Sequence, residues 1–255
     1  MEKNYFNTYW INLDRSSERK KNMEEFFLKN DINNTRFSAI DRLNGNQIEN
    51  LVTFKENVFV EEKCRGQIAC LLSHLFLIKN FYEKDPNDYC LILEDDIDFQ
   101  YFNKYNLDFE KTINKVILDC KHDWEIIQLS FTVRKNKEFK LKSNDLYFKW
   151  KDSYYGTIAY IINKKGALKL INNNFKDDKI LIDLTTDDKK NYYVADCLLY
   201  KQVNTYTFKI PIFSFNINFK SIVGSKEDSI IMGARVIKDT IQFYDTILQT
   251  YPKNQ

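Results

Sequence analysis

The stretch Tyr89–Phe99, YCLILEDDIDF, sets four carboxylates (Glu94, Asp95, Asp96 and Asp98) within five residues directly behind an apolar run. Apolar runs are buried, whereas clustered carboxylates repel one another and favour water. Such a cluster at a strand end is tolerable if a hard divalent cation with oxygen ligands sits against it. Mg2+ and Mn2+ commonly join carboxylates to substrate phosphates in this way. The competing chemistry is a nucleophilic aspartate of the Asp-x-Asp kind, but no threonine stands two residues beyond the second aspartate. A solvated acidic turn without chemistry is the structural alternative.

The elements that must position this turn are readable in outline. NTYWINLDR reads as an apolar strand, after which Ser16 or Ser17 caps a helix with Met23, Phe26 and Phe27 on its apolar face. TRFSAID reads as a short second strand, followed by a loop and a polar region through Lys63. From Gly66 to Tyr82, apolar residues recur at helical spacing. CLILEDD is the next strand; a helix over 112–119 and the strand WEIIQLS follow. Later come the strand-like EFKLKSNDLYFKW, a strand then helix in GTIAYIINKKGALKLI, and an acidic loop over 177–190. A helix in YYVADCLLYKQV, a late strand in IPIFSFNI and a C-terminal amphipathic helix carrying Ile237, Ile241, Tyr244, Leu248 and Tyr251 complete the chain. Alternating strands and helices predict an α/β fold with a mostly parallel sheet flanked by helices. Ligands of such sheets bind beyond the carboxyl ends of the strands, where the acidic cluster stands.

The chain has 255 residues, 44% of them hydrophobic, enough for one sizeable core. Its 38 basic and 36 acidic residues give a net charge of +2, so nothing favours nucleic acid as partner. A mean hydropathy of -0.50 and the lack of any long apolar stretch argue against a membrane span. The N-terminus lacks the layout of a signal peptide, so a cytoplasmic protein is expected, with peripheral attachment to a membrane as a variant. The C-terminal helix can pack on the core or pair with a second copy as a homodimer. Five irregularly spaced cysteines read as reduced thiols. With no CxxC pair and only His74 and His122, a Cys/His zinc site is not expected.

In combination and order, WINLDRSSERKKNMEEFF, RFSAID, RGQIACLLSHLFLIKN and CLILEDDIDF, followed by WEIIQLS, GTIAYIINKKGALKL and VADCLLY, resemble glycosyltransferase family 25, the lipooligosaccharide and collagen galactosyltransferase group. The resemblance runs from Trp10 to about Ser229. It implies a GT-A type, Rossmann-like fold in one domain over 1–255. About 1–130 would form the nucleotide-sugar half and about 131–255 the acceptor half. It also implies a UDP-galactose or UDP-glucose donor, Mn2+ or Mg2+, inverting transfer, and a saccharide or glycoprotein acceptor. On this resemblance Asp96 and Glu94 hold the metal, with Glu94 alternatively at the ribose; Asp95 faces either way, and Asp98 stands behind them or in solvent. Asn12 and Asp14 are expected at uracil or ribose, and Arg15 and Arg19 at phosphate, Arg19 alternatively being an exposed helix residue paired with glutamates. Asp41 is a uridine contact or a turn residue. Ser73 and His74 lie near the donor phosphates or sugar. Asp196 is the candidate base or else a helix cap, with Gly156 and Thr157 lining the acceptor side. No histidine follows His122, so a late histidine ligand is not available. Two other classes fit part of this pattern: a catalytically silent glycan- or nucleotide-binding relative, and a metal-dependent phosphoryl or UDP-sugar hydrolase.

Overall fold

The computed structural model describes residues 5–54, 62–133, 145–182, 193–210, 212–216 and 219. In chain order the elements are β1 (Phe6–Asn12), α1 (Ser17–Lys29), β2 (Asn34–Ser38), α2 (Gly45–Leu51), β3 (Val52–Phe54), α3 (Glu62–Lys84), β4 (Tyr89–Glu94) and β5 (Ile97–Asp98). There follow α4 (Gln100–Tyr105), α5 (Phe109–Asp119), β6 (Ile126–Gln128), β7 (Thr132–Val133), β8 (Tyr147–Lys149) and β9 (Tyr154–Tyr155). The remainder is β10 (Ala159–Asn163), α6 (Lys164–Asn174), β11 (Phe175–Lys176), β12 (Lys179–Ile182), α7 (Ala195–Gln202), β13 (Thr205–Phe208) and β14 (Ser214–Phe215).

The central sheet has seven strands in the order β2-β1-β4-β10-β6-β13-β8. Strands β2, β1, β4, β6 and β13 run in one direction; β10 and β8 oppose them. This is the expected α/β fold with a mostly parallel sheet, but an antiparallel strand lies at its centre. Period-two alternation sorts the strand side chains into two cores. Cys90 and Ile92 of β4, with Tyr160 and Ile162 of β10, face the core closed by α3, α6 and α7. Leu91 and Leu93, with Ala159 and Ile161, face the core that takes Met23 and Phe27 of α1 and Ile113, Val116 and Ile117 of α5. Strands buried on both faces read as continuous apolar runs, which is why YCLIL and AYII carry no alternation.

Several expectations need correction. The polar region before Lys63 contains α2 and β3, and the start of the acidic loop is β12, which pairs with β3 in a separate three-stranded sheet. Burial of Ile180 and Ile182 on one face of β12 decides this over the neighbouring charges. The late strand of the main sheet is TYTF, not IPIFSFNI; among the described residues of the latter only Ser214–Phe215 is a strand, paired with β5. Of EFKLKSNDLYFKW, Tyr147–Lys149 is a strand and residues 138–144 lie outside the described residues. The C-terminal helix, and with it the homodimer, also lies outside them. No helix among the described residues is long and apolar enough to cross a membrane. All five cysteines are free; Cys90 and Cys120 are buried and the others half-buried.

Lys164 ties the layers together. Its ammonium donates to the carbonyls of Phe81, Tyr82 and Asp85 at 2.7–2.8 Å, closing the C-terminus of α3 from the first turn of α6. Lys164→Met would leave these acceptors without their charged donor, at a cost of roughly 2–3 kcal/mol. Urea unfolding should show that loss as a lower midpoint with an unchanged slope; an unchanged midpoint would deny the role.

Candidate active site

The carboxyl ends of β1 and β4 open into a cleft of about 640 Å³ that includes its solvent mouth. Asn12, Arg15, Arg19, Asp41, Ser73, His74, Glu94, Asp95 and Asp96 all line it, so nine expected residues from four separate segments meet there. Asp14 and Asp196 are not among the lining residues.

Within the acidic turn the three consecutive carboxylates are treated differently. Asp95 is buried, accepting from Asn12 Nδ2 at 2.6 Å and from Arg19 at 2.7 Å. Burial nonetheless raises its carboxyl above the usual range, against the pull of Arg19. Glu94 Oε1 accepts from Thr157 Oγ1 at 2.5 Å and lies 3.2 Å from His74 Nε2. Burial opposes its ionisation, yet His74 and Thr157 hold it below the ordinary value. Asp96 lies 3.7 Å from Arg19, and its buried Oδ1 has no hydrogen-bond partner among the described residues. Burial first, and the charge of Glu94 next, push Asp96 up to about 7. A buried, unanswered carboxylate oxygen beside a second carboxylate fits a divalent cation with oxygen ligands. Asp98 instead accepts from Gln100 N at 2.7 Å at the start of α4.

Several residues expected to meet a ligand are occupied within the protein. The Asn12 side chain donates to Asp95 and the Ser16 carbonyl and accepts from Arg36. Asp14 is exposed and bound by Arg36 at 2.6 Å and Ser38 at 2.8 Å, which together lower its pKa. Arg15 pairs with Asp41 at 2.6 Å; burial works against that carboxylate, but Arg15 and the Leu43 amide hold it low. Arg19 is buried against Asp95 rather than exposed beside glutamates. Ser73 Oγ accepts from Ile40 N and donates to Ala69 O, fastening the loop after β2 onto α3.

Asp196 is not a helix cap, since Val194 holds that position. It lies in the first turn of α7, buried, accepting from Gly156 N and Cys197 N at 2.8 Å each. Burial raises its carboxyl despite those two amides. Gly156 has φ of +105°, a conformation that disfavours side chains, and a Cβ there would meet the Phe215 ring at 3.2 Å. Its carbonyl accepts from Gln128 and Tyr200 at 3.0 Å each, so the peptide is fixed from three sides and delivers Thr157 to Glu94.

Two cleft residues escape sequence reading. Arg42 lines the cleft with a buried Nε that has no partner among the described residues. Its position next to Asp41 in AIDRL was the available signal. Cys70 lines the cleft one turn before His74, and the C-x3-H spacing on an apolar helix marked it.

A family model for "Glycosyltransferase family 25 (LPS biosynthesis protein)" matches residues 6–187. The chain belongs to glycosyltransferase family 25 and has the α/β fold described above. VADCLLY, which carries Asp196, lies beyond the matched residues. The chain is similar to human "Procollagen galactosyltransferase 2", 29% identical over 177 residues that cover 65% of this chain and 27% of the relative. A "Glycosyltransferase 25 family member" of Drosophila melanogaster is 27% identical over 182 residues, covering 69% and 29%. The matched region therefore spans under a third of these relatives' length. Among solved structures, "a glycosyltransferase involved in the glycosylation of the major capsid of PBCV-1" aligns with a TM-score of 0.34 at 11% identity, covering 80% of this chain and 93% of that one. That likeness is too slight to bear on function.

The folded value of Asp96 exceeds that of an unfolded carboxyl, so protonation favours the folded state, and stability falls as pH rises through about 7. The metal-free protein should thus melt higher near pH 6 than near pH 8. Asp96→Asn should raise the melting temperature near pH 8 and flatten this dependence; an unaltered profile would contradict the crowding of Asp96.

Proposed function

We propose that the chain transfers galactose or glucose from a UDP-sugar to a hydroxyl of a saccharide or glycoprotein, with inversion and with Mn2+ or Mg2+ bound. The observation that carries this reading is the unpartnered, buried Asp96 Oδ1 beside Glu94, at the strand ends of a glycosyltransferase cleft. Asp96 and the oxygen of Glu94 not engaged by Thr157 would hold the ion, whose chemistry is to offset charge on the departing diphosphate.

The protein groups divide the remaining work. Arg42, with its unpartnered nitrogen, is the residue for diphosphate, and Arg15 with Asp41 forms the rim on the uridine side. Asn12, Arg19 and Ser73 position the cleft walls rather than touch the donor. The base is assigned to Asp196: burial raises its pKa toward one suited to proton abstraction, and each oxygen keeps a lone pair beyond its amide bond. Inversion requires one carboxylate to take the acceptor hydroxyl's proton as that oxygen attacks the anomeric carbon, while UDP leaves from the opposite face. The acceptor enters beside Gly156 and Thr157, the segment that Asp196 anchors to the acidic turn. The acceptor half and the use of Asp196 are supported by position and burial alone.

NMR of the product from UDP-galactose or UDP-glucose and candidate saccharide acceptors tests this. A β-linked hexose is expected from an α-linked donor, and hydrolysis of the donor regardless of acceptor would contradict transfer. Asp196→Asn should keep UDP-sugar affinity within about twofold and lower turnover at least about 100-fold. Loss of folding in this variant, with full activity in Asp196→Glu at a shifted geometry, would leave Asp196 only as the anchor of Gly156.

A further inference from the structure

We propose that Cys70, His74 and Glu94 form a site for a thiophilic divalent cation of the Zn2+ class, separate in donor chemistry from the hard-ion site at Asp96. Cys70 and His74 stand one turn apart on α3, and Glu94 at the end of β4 meets the same face. One thiol sulfur, one imidazole nitrogen and one carboxylate oxygen lie within 4.8 Å of one another. A tetrahedral zinc site, with Zn–S about 2.3 Å and Zn–N or Zn–O about 2.0–2.2 Å, has donor–donor edges of roughly 3.3–3.6 Å. The Nε2 to Oε1 separation is already 3.2 Å, so the sulfur approaches by roughly 1 Å through side-chain rotation.

The outer groups suit this use. The Tyr160 hydroxyl lies 3.0 Å from His74 Nδ1, placed to accept the ring proton when Nε2 takes the ion. Thr157 orients the Glu94 carboxylate. All three ligands line the cleft, so a fourth position faces solvent. Burial, then the charges of Glu94, Asp196 and Asp96, keep the Cys70 thiol protonated by itself. The same carboxylates favour a cation there, and its binding would expel the thiol proton to solvent. Sulfur and imidazole select a borderline-soft ion, whereas Mg2+ and Mn2+ prefer oxygen alone. Because Glu94 belongs to both donor sets, a bound zinc would withdraw it from the hard ion, making Zn2+ an antagonist of Mn2+.

The test uses the full chain stripped with chelator and titrated with Co2+, then with Zn2+. A near-ultraviolet thiolate-to-cobalt band that equimolar Zn2+ removes is expected, together with one sulfur neighbour at about 2.3 Å in zinc X-ray absorption of the unmutated protein. Cys70→Ser should abolish the band, Cys197→Ser should keep it, and Tyr160→Phe should weaken zinc about 10- to 100-fold. An all-nitrogen-and-oxygen shell around zinc, no cobalt band, or a band that survives Cys70→Ser would overturn the site. The unmutated measurements decide the matter even if a variant fails to fold, and both spectra read the metal alone, whether or not the chain transfers a hexose.

Discussion

The buried Asp95 carboxylate, held by Asn12 Nδ2 and by the Arg19 guanidinium, is the contact on which the site depends. Three successive carboxylates at the end of a buried strand would otherwise repel one another and drag the strand end into solvent. The two donors come from the end of β1 and the first turns of α1, more than seventy residues away in sequence, so the contact also locks three elements into register. Removing one partner of such a buried pair typically costs about 3–5 kcal/mol, since the other charge is left unanswered. With Asp95 satisfied inwardly and Glu94 tied to His74 and Thr157, the unmet acidity of the turn is concentrated on Asp96.

The antiparallel strand at the centre of the sheet does the complementary task. Because β10 opposes β4, the residues that precede it arrive at the carboxyl end of β4, and Glu94 N donates to Ile158 O at 2.9 Å. A parallel strand in that place would present its own carboxyl end and send Gly156 and Thr157 to the far side of the sheet. The reversed direction therefore brings the Gly156 peptide, with Asp196, Gln128 and Tyr200 around it, to the acidic turn. The Gly156 segment and the acidic turn meet across that one strand pair.

Much of this was legible in the sequence where burial writes a strong pattern. The α3 periodicity, the apolar β4 and β10 runs and the acidic turn were each recoverable from residue order. Short elements were not: α2, β3 and β12 lie in polar surroundings, and TYTF is an ordinary-looking segment whose strand state comes from pairing between β6 and β8. That Asn12, Arg19 and Ser73 gather at one cleft was readable, but the partners that occupy them, distant in sequence, were not. Asn12 could only be seen as a positioning residue once Asp95 and Arg36 were found against it. Arg42 was missed because its place beside Asp41, though a signal, does not show that its Nε is buried without a hydrogen-bond partner among the described residues.

The central claim is that the acidic turn binds a uridine diphosphate sugar through a hard cation. The most direct measurement is a thermal-shift comparison of UDP-, GDP-, ADP- and CMP-linked sugars, each with and without Mn2+. A ligand that binds only the folded state, at about 100 times its Kd, adds roughly 2.7 kcal/mol of stability. A raised melting temperature confined to UDP-sugars and requiring Mn2+ is the result this structure leads us to expect. Equal shifts for all four nucleotides, or none with any of them, would contradict it.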